Sequence, residues 1–143
     1  MRAIQLYSSL IIALFILGGC SSDDDGGPSG PQVPSALYDE WTTELLIING
    51  ETDGNISCEE RIDYKFNSNG TYNKEVFTTN ASDNCESSLN ITGNWEVLTE
   101  QSIMLTPNSS AVQGETLNFE LISSNTKLQI NRNASRTEIY EKL

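Results

Sequence analysis

The segment FNSNGTY, residues 66–72, is the strongest local folding signal in the chain. It lies between two stretches in which apolar and polar residues alternate, and its Asn-Gly pair is typical of a β-hairpin turn. A two-residue turn would place Phe66 opposite Asn73. A three-residue loop with Gly70 in the left-handed region places Phe66 opposite Tyr72 instead. The second register sets aromatic against aromatic, so burial favours it and we predict that register.

Apolar and polar residues continue to alternate from Trp41 to the end of the chain. This period of two predicts strands with one apolar face each. The eight predicted strands are at 40–48, 58–67, 71–79, 87–98, 102–107, 115–123, 126–131 and 136–142. Their short connections favour an all-β fold, a single antiparallel up-and-down eight-stranded barrel, which leaves no free sheet edge. A Greek-key β-sandwich is the alternative.

The composition of the chain excludes several classes of function. The 143 residues include 20 acidic and 8 basic side chains and no histidine. Without histidine the chain has no His-based catalytic triad and no His-rich metal site. A net charge of −12 argues against nucleic-acid binding and against electrostatic docking to anionic lipid, since both need a basic surface. We therefore expect a single domain that is not an enzyme and has no metal site and no cofactor.

The N-terminus has the pattern of an export signal. The apolar run at residues 10–17 is too short to span a bilayer, but it suits the apolar region of a signal peptide. The tetrapeptide LGGC that follows it resembles the lipobox of bacterial lipoproteins. This resemblance implies that residues 1–19 are removed as a lipoprotein signal peptide. It also implies that Cys20 carries acyl chains of the palmitate type, which anchor the protein to a membrane.

The residues after Cys20 indicate where the anchored protein resides. Ser21 rather than an aspartate follows the cysteine, and the resemblance then implies sorting to the outer membrane. The acidic run at 23–25 is similar to the export tags of lipoproteins that are displayed on the cell surface, with a periplasm-facing location as the alternative. Residues 20–36 are dense in Gly, Pro, Ser and Asp, which predicts a flexible linker. The folded domain is then expected at 37–143.

Two cysteines remain once Cys20 is acylated, and we predict that they form a disulfide. An even pair in an exported chain is typical of a disulfide. The hairpin register places Cys58 opposite Asn80, and Cys85 follows five residues further along the returning loop. The spacing is not that of a C-x-x-C redox pair, so the bond between Cys58 and Cys85 is expected to be structural.

Several short motifs, in their order along the chain, resemble those of the lipocalin-like lipoproteins of bacteria, which are small calycin-type barrels. The motifs are Leu37-x-x-x-Trp41, Tyr64-x-Phe66-x-x-x-Gly70-Thr71-Tyr72, Gly93-x-Trp95 and the paired cysteines. The resemblance covers residues 37–142, although family members usually have a glycine where this chain has Asp39. It implies a membrane-tethered barrel that binds a small hydrophobic or amphipathic molecule.

Six aromatic residues fall on the predicted inward faces and form the candidate ligand-binding interior. They are Trp41, Tyr64, Phe66, Tyr72, Trp95 and Phe119. Gly93 on the same face is expected to leave space beside them, or else to mark a bend or bulge. An eight-stranded barrel holds either side chains or one small molecule. In the alternative, the aromatics fill the barrel, and loops at 49–57, 80–86 and 107–114 bind a protein or glycan partner on the cell surface.

The resemblance also implies a role for an arginine at the start of the last strand. In lipocalin-type barrels such an arginine stacks on the first-strand tryptophan, which here would pair Arg136 with Trp41. Arg132 is an equally good candidate, and a solvated charge at Arg136 is the alternative. The expected partners are the membrane, through the lipid anchor on Cys20, and a small hydrophobic ligand. No nucleic acid is expected, and the protein is expected to be a monomer.

Overall fold

Nine β-strands account for most of residues 32–143, which are the residues that the computed structural model describes. In chain order they are β1 (Glu40–Ile48), β2 (Glu51–Asp53), β3 (Ile62–Phe66), β4 (Thr71–Thr79), β5 (Cys85–Thr99), β6 (Ser102–Pro107), β7 (Glu115–Ile122), β8 (Lys127–Asn133) and β9 (Arg136–Lys142). Short 3-10 turns at Ser35–Leu37 and Cys58–Glu60 precede β1 and β3. The predicted signal peptide, Cys20 and the first part of the predicted linker lie outside the described residues.

The strands form one antiparallel sheet that closes on itself. Strands β3 to β9 pair in sequence order, and β1 pairs with both β3 and β9. Trp41 in β1 therefore lies opposite Tyr64 on one side and opposite Lys142 on the other. Strands β1 and β3 to β9 make up the predicted eight-stranded up-and-down barrel, which is confirmed. The alternative β-sandwich is wrong, because β1 pairs with both β3 and β9 and so closes a single sheet.

The hairpin at residues 66–72 has the predicted register. Phe66 lies opposite Tyr72. Gly70 has a φ of +81°, and its N–H donates a hydrogen bond to the carbonyl oxygen of Asn67 at 3.1 Å. The three-residue loop with a left-handed glycine is therefore confirmed, and the two aromatic rings lie on the same face of the sheet.

The short strand β2 was not predicted. It pairs with the end of β1, where Leu46 lies opposite Asp53. Asn49 and Gly50 turn the chain back, with φ angles of 54° and 85°. Both residue types adopt this left-handed conformation readily, so the two-residue turn follows from the sequence even though the strand is only three residues long.

The predicted strand at 58–67 begins four residues later than expected, at Ile62. Glu60 Oε2 accepts hydrogen bonds from the backbone N–H of Ser57 at 3.3 Å and from its hydroxyl at 2.8 Å, and the Glu60 N–H donates to the carbonyl oxygen of Ser57 at 3.1 Å. This pairing holds Cys58–Glu60 in a 3-10 turn instead of a strand. The polar side chains at this point thus compete successfully with sheet pairing.

A disulfide joins Cys58 and Cys85, with their Cα atoms 5.2 Å apart. The predicted bond is therefore confirmed. It ties the 3-10 turn before β3 to the first residue of β5, at the tip of the long β4–β5 hairpin. Because it closes a loop of 27 residues, it restricts the unfolded chain and stabilises the fold by roughly 3–4 kcal/mol.

One end of the barrel, which we call the closed end, is covered by the turn at Ser35–Leu37. Leu37 is fully buried in the hydrophobic core, and its carbonyl oxygen accepts a hydrogen bond from Trp41 Nε1 at 3.1 Å. Val33, which lies within the segment predicted as linker, is buried there as well. The opposite end, bordered by the β1–β2 turn and the β4–β5 hairpin, is called the mouth.

Gly93 does not leave space in the interior, contrary to our expectation. A Cβ atom on Gly93 would lie 2.2 Å from the carbonyl oxygen of Thr106 and 2.7 Å from Cε1 of Tyr72. The backbone of β6 and the Tyr72 ring therefore pack directly onto the glycine. Its missing side chain permits this close approach and opens no cavity.

We expect Gly93→Ala to lower the free energy of unfolding by about 2 kcal/mol, because β6 must shift to relieve the overlap. Gly54→Ala is the matched control, since a Cβ there would meet only Cδ1 of Leu45 at 3.6 Å. Urea unfolding of both variants measures the difference. Equal midpoints for the two variants would contradict the assignment of Gly93 as a packing residue.

Candidate functional site

The six predicted aromatic residues come together in the hydrophobic core. Each is at most 9% exposed: Trp41, Tyr64, Phe66, Tyr72, Trp95 and Phe119. Tyr64 stacks on Phe66 with ring centroids 5.5 Å apart, and Phe66 meets Trp95 edge to face at 6.4 Å. These contacts show side chains packed against one another, as in an ordinary protein interior.

The cavities described within residues 32–143 lie outside this aromatic core. Their volumes are about 500, 260, 440 and 350 Å³, and each is partly open to solvent. Phe119 borders the first and Tyr64 the second, whereas the other four aromatics border none of these four. The aromatic residues thus form a packed core, and the four cavities lie around it.

A group of charged side chains lies nearer the mouth than the aromatic core does, and it was not predicted from the sequence. Glu115, the first residue of β7, accepts hydrogen bonds from Lys74 Nζ at 2.6 Å and from Arg132 Nη1 at 2.9 Å. One carboxylate thus bridges two cations that come from β4 and β8. The side chains of Lys74 and Arg132 are 16% and 17% exposed, against 33% for Glu115. Glu115 is therefore the most accessible of the three.

A second carboxylate continues this group into the barrel. Glu138 of β9 is 3% exposed and accepts hydrogen bonds from Arg132 Nε at 2.7 Å, Arg136 Nε at 2.9 Å and the Tyr140 hydroxyl at 2.6 Å. Arg132 Nη2 donates to the Tyr64 hydroxyl at 2.7 Å. We call these residues the mouth cluster: Tyr64, Lys74, Glu115, Arg132, Arg136, Glu138 and Tyr140. Its three cations and two carboxylates leave one excess positive charge in a chain of net charge −12.

Burial and ion pairing together set the protonation of the mouth cluster. Burial by itself would raise the pKa of Glu138, but the charge of Arg132 and the hydrogen bonds that Glu138 accepts hold that pKa below its ordinary value. Burial raises the pKa of Tyr64 and that of Tyr140. At neutral pH the cluster therefore consists of charged pairs joined by neutral phenols.

Arg136 does not stack on Trp41, so the role implied by the resemblance is wrong for this chain. Arg136 begins β9 at the mouth and pairs with Glu138 there, while Trp41 lies at the closed end. The antiparallel run of β9 brings Lys142 to that end, with Nζ 5.1 Å from the centre of the Trp41 ring. Arg132, the other candidate, lies over a tyrosine ring instead.

A cavity of about 350 Å³ lies along the mouth end of β5, and we call it the rim cavity. It is lined by Leu89, Asn90, Ile91, Thr92, Asn108, Ser109 and Val112. It lies along β5 beyond Gly93, the point where pairing with β6 ends. Ile91 lies directly opposite Lys74 in the sheet, and Val112 precedes Glu115 by three residues. The cavity thus offers apolar walls and uncharged polar groups beside a charged cluster.

The signal for the mouth cluster was present in the strand alternation. Lys74 follows Tyr72 at the same inward parity, and Glu115 precedes Leu117 in the same way. Arg132 continues the inward parity of β8. Charged residues at inward positions near the strand ends indicate a polar cluster inside a barrel, because isolated charges are too costly to bury. The predicted interior was based on apolar residues alone and therefore did not include these charged side chains.

Two solved structures share this fold. A lipocalin-like protein from Bacteroides uniformis is 14% identical, with a TM-score of 0.52, and the match covers 76% of this chain and 99% of that chain. An uncharacterized protein from Bacteroides eggerthii is 16% identical, with a TM-score of 0.50, and the match covers 75% and 99%. At such identities the likeness shows the fold alone, which is a lipocalin-like barrel. No protein-family model and no curated protein matches the chain.

Residues 32–143 contain no helix long and apolar enough to cross a membrane. Within the same range, no group of three or more cysteine, aspartate or glutamate side chains is placed to bind a metal ion.

We expect Glu138→Gln to lower the free energy of unfolding at pH 7 by about 3 kcal/mol, because Arg132 loses a buried partner. The pKa of Glu138 is lower in the folded state than its ordinary value of 4.5. The stabilisation is therefore fully present above about pH 4.5 and is lost as the pH falls through the folded-state pKa. The difference between wild type and variant should accordingly shrink on acidification.

Urea unfolding at pH 7 and at about pH 3.5 measures this difference. Glu120→Gln on the exposed face of β7 is the control and should change little at either pH. A deficit of the Glu138→Gln variant that stays constant with pH would contradict the linkage.

Proposed function

We propose that the protein is a membrane-tethered, lipocalin-like binding protein that holds a small amphipathic molecule at the mouth of its barrel. The observation that carries the proposal is the position of the rim cavity beside the mouth cluster. Ile91 in its wall lies directly opposite the ion-paired Lys74 in the sheet, and an amphipathic molecule likewise has an apolar part and a polar part. A volume of about 350 Å³ falls within the range of small-molecule sites.

The packing of the core favours a site at the mouth over a site among the six aromatics. The aromatic rings already contact one another, so a ligand there would have to displace them at the cost of tight packing. Leu89 on the rim is 47% exposed. A bound ligand would bury its apolar surface, which favours binding. Leu89, Ile91 and Val112 would hold the apolar part, and the mouth cluster would face the polar part.

The packed aromatic core also supports the second candidate function. In that case the barrel is a filled cell-surface module, and its loops at the mouth bind a protein or glycan partner. The two functions differ in one observable, since only the first predicts a small molecule bound to the isolated protein.

For the first function, we expect native mass spectrometry of the protein purified from membranes to show a bound small molecule. Leu89→Trp, which fills the rim cavity, should remove the bound mass. Leu98→Trp is the matched control, because Leu98 lies on the same strand, is 40% exposed and does not line the cavity. A wild-type protein without bound mass, or bound mass that survives Leu89→Trp, would contradict the proposed site.

The tether is the second part of the proposal. The lipobox-like sequence ending at Cys20 supports acylation there, and it lies 12 residues before Gln32, where the described chain begins. Val33 packs at the closed end. The chain that would carry the anchor therefore joins the folded domain at that end. The closed end would then face the outer membrane and the mouth would point away from it, on the cell surface or, alternatively, in the periplasm.

We expect Cys20→Ala to abolish acylation and to release the protein from the membrane fraction, because the acyl chains supply the membrane affinity. Ser21→Ala serves as the control and should stay bound. Intact-mass analysis and fractionation measure both effects, and protease treatment of whole cells separates surface from periplasmic exposure. Retention of Cys20→Ala in the membrane would refute the anchor.

A further inference from the structure

One side of β5 has no neighbouring strand over its first half. Strand β4 pairs with β5 as far as its first residue, Cys85, whereas pairing with β6 ends at Gly93. On the β6 side, the Asn108 N–H donates one further hydrogen bond to the carbonyl oxygen of Thr92 at 2.9 Å. Within the described chain, no strand lies beside residues 85–91 on that side. We call residues 85–91 the free edge.

The main-chain groups of the free edge are accessible. The first six residues of β5 are all exposed. Successive residues of a strand direct their N–H and C=O groups to opposite sides. The carbonyl of Thr92 points away from β4, so the N–H and C=O of Asn90 point the same way, to the side where no strand lies. A row of such groups is a template for another strand.

The free edge is held in place and lacks two common protections against pairing. The disulfide to Cys58 fixes its first residue, Cys85, and β4 pairs along it apart from one bulge. Natural sheet edges are often blocked by lysine and proline. Residues 85–95 contain neither, and Glu86 is the one charged side chain among them. A strand that is already formed loses little conformational entropy on binding, so pairing at the free edge has a low cost.

The side chains of the free edge define the pattern that an added strand must carry. Leu89 and Ile91 stand two residues apart, so they share a face of β5, and both line the rim cavity together with Val112. An apolar side chain of an added strand fits between these walls. Its neighbours along the added strand point to the opposite face, beside the exposed Asn90. The matching segment therefore alternates apolar and polar residues.

The charge of this side of the barrel favours a basic partner. Between Lys74 and Lys127 the chain carries seven acidic residues and no basic residue. This stretch includes all of β5, β6 and β7. A basic segment is attracted to such a surface, and an acidic one is repelled. A second copy of this protein would bring the same acidic surface to the edge, so the charge opposes self-pairing.

We propose that the free edge of β5 binds an extended segment of a partner protein by strand addition, and that this segment is basic and alternates apolar with polar residues. Main-chain hydrogen bonds join the segment to β5, and an apolar side chain enters the rim cavity. This inference goes beyond the small-molecule function and does not require it. The added strand covers the rim cavity, so the segment and a small molecule bound there exclude each other.

The test titrates the full protein, freed of bound lipid, with a capped octapeptide in which valine and threonine alternate between two terminal lysines. Isothermal titration calorimetry measures the affinity. Wild type should bind this lysine peptide at least about tenfold more tightly than the same peptide with terminal glutamates, because the surface around the edge is acidic.

Hydrogen exchange measured by NMR locates the bound peptide. The backbone amide of Asn90 should exchange at least about tenfold more slowly in the complex, because it gains a hydrogen bond. The amide of Ile91 should change far less, since it already faces β4.

A substitution on the free edge tests the same contact from the side of the protein. Leu89→Lys should weaken binding of the lysine peptide by about tenfold or more, because it replaces an apolar wall of the rim cavity with a charge. Leu98→Lys is the matched control, since it adds the same charge to the same strand outside the free edge and should leave the affinity unchanged. Urea midpoints establish that both variants are folded.

Each result either supports strand addition or overturns it. Tight binding of the lysine peptide, with slowed exchange at Asn90 and loss of both in Leu89→Lys, supports it. No binding, or equal affinity for the two peptides, overturns the basic partner, and binding without slowed exchange at Asn90 overturns pairing at the free edge. A wild-type dimer in sedimentation, with Asn90 protected before any peptide is added, shows that a second copy occupies the edge instead. The small-molecule function is decided separately, by the mass bound to the protein purified from membranes.

Discussion

The pairing of β1 with β9 is the contact on which the rest of the structure depends. It runs from Trp41 opposite Lys142 to Ile48 opposite Arg136. Without it the sheet would have two free edges, and its inward side chains would face water. With it, a meander of short hairpins encloses one interior, and every inward position is defined relative to the same axis. The closed end, the aromatic core and the mouth cluster all follow from that closure.

Closure also divides the interior into two chemically different parts. The turn at Ser35–Leu37 covers one end, and the core beside it is apolar, where an unpaired charge would be too costly to bury. Charged side chains gather towards the open end, where Glu115 keeps a third of its surface in water. Arg132 and Glu138 extend the cluster inwards only as ion pairs. The barrel interior is thus apolar towards its covered end and charged towards its mouth.

This division changes how aromatic residues in such a barrel are interpreted. Trp41, Phe66 and Trp95 were placed correctly on inward faces, yet all three belong to the hydrophobic core, where Phe66 meets Trp95 edge to face. Gly93 illustrates the same point, because its missing side chain is used for close packing of β6 and Tyr72. An inward aromatic residue in a small barrel therefore indicates which face of its strand points into the core. It does not by itself indicate a ligand.

The sequence by itself determined the strands, the hairpin register at Phe66 and Tyr72, the disulfide and the order of the barrel, because alternation and turn chemistry are local properties of the chain. It did not determine what the interior holds. Lys74, Glu115 and Arg132 stand 17 or more residues apart in sequence, and only closure of the sheet brings their charges within hydrogen-bonding distance. Contacts across a barrel depend on its circumference and stagger, which no local pattern encodes.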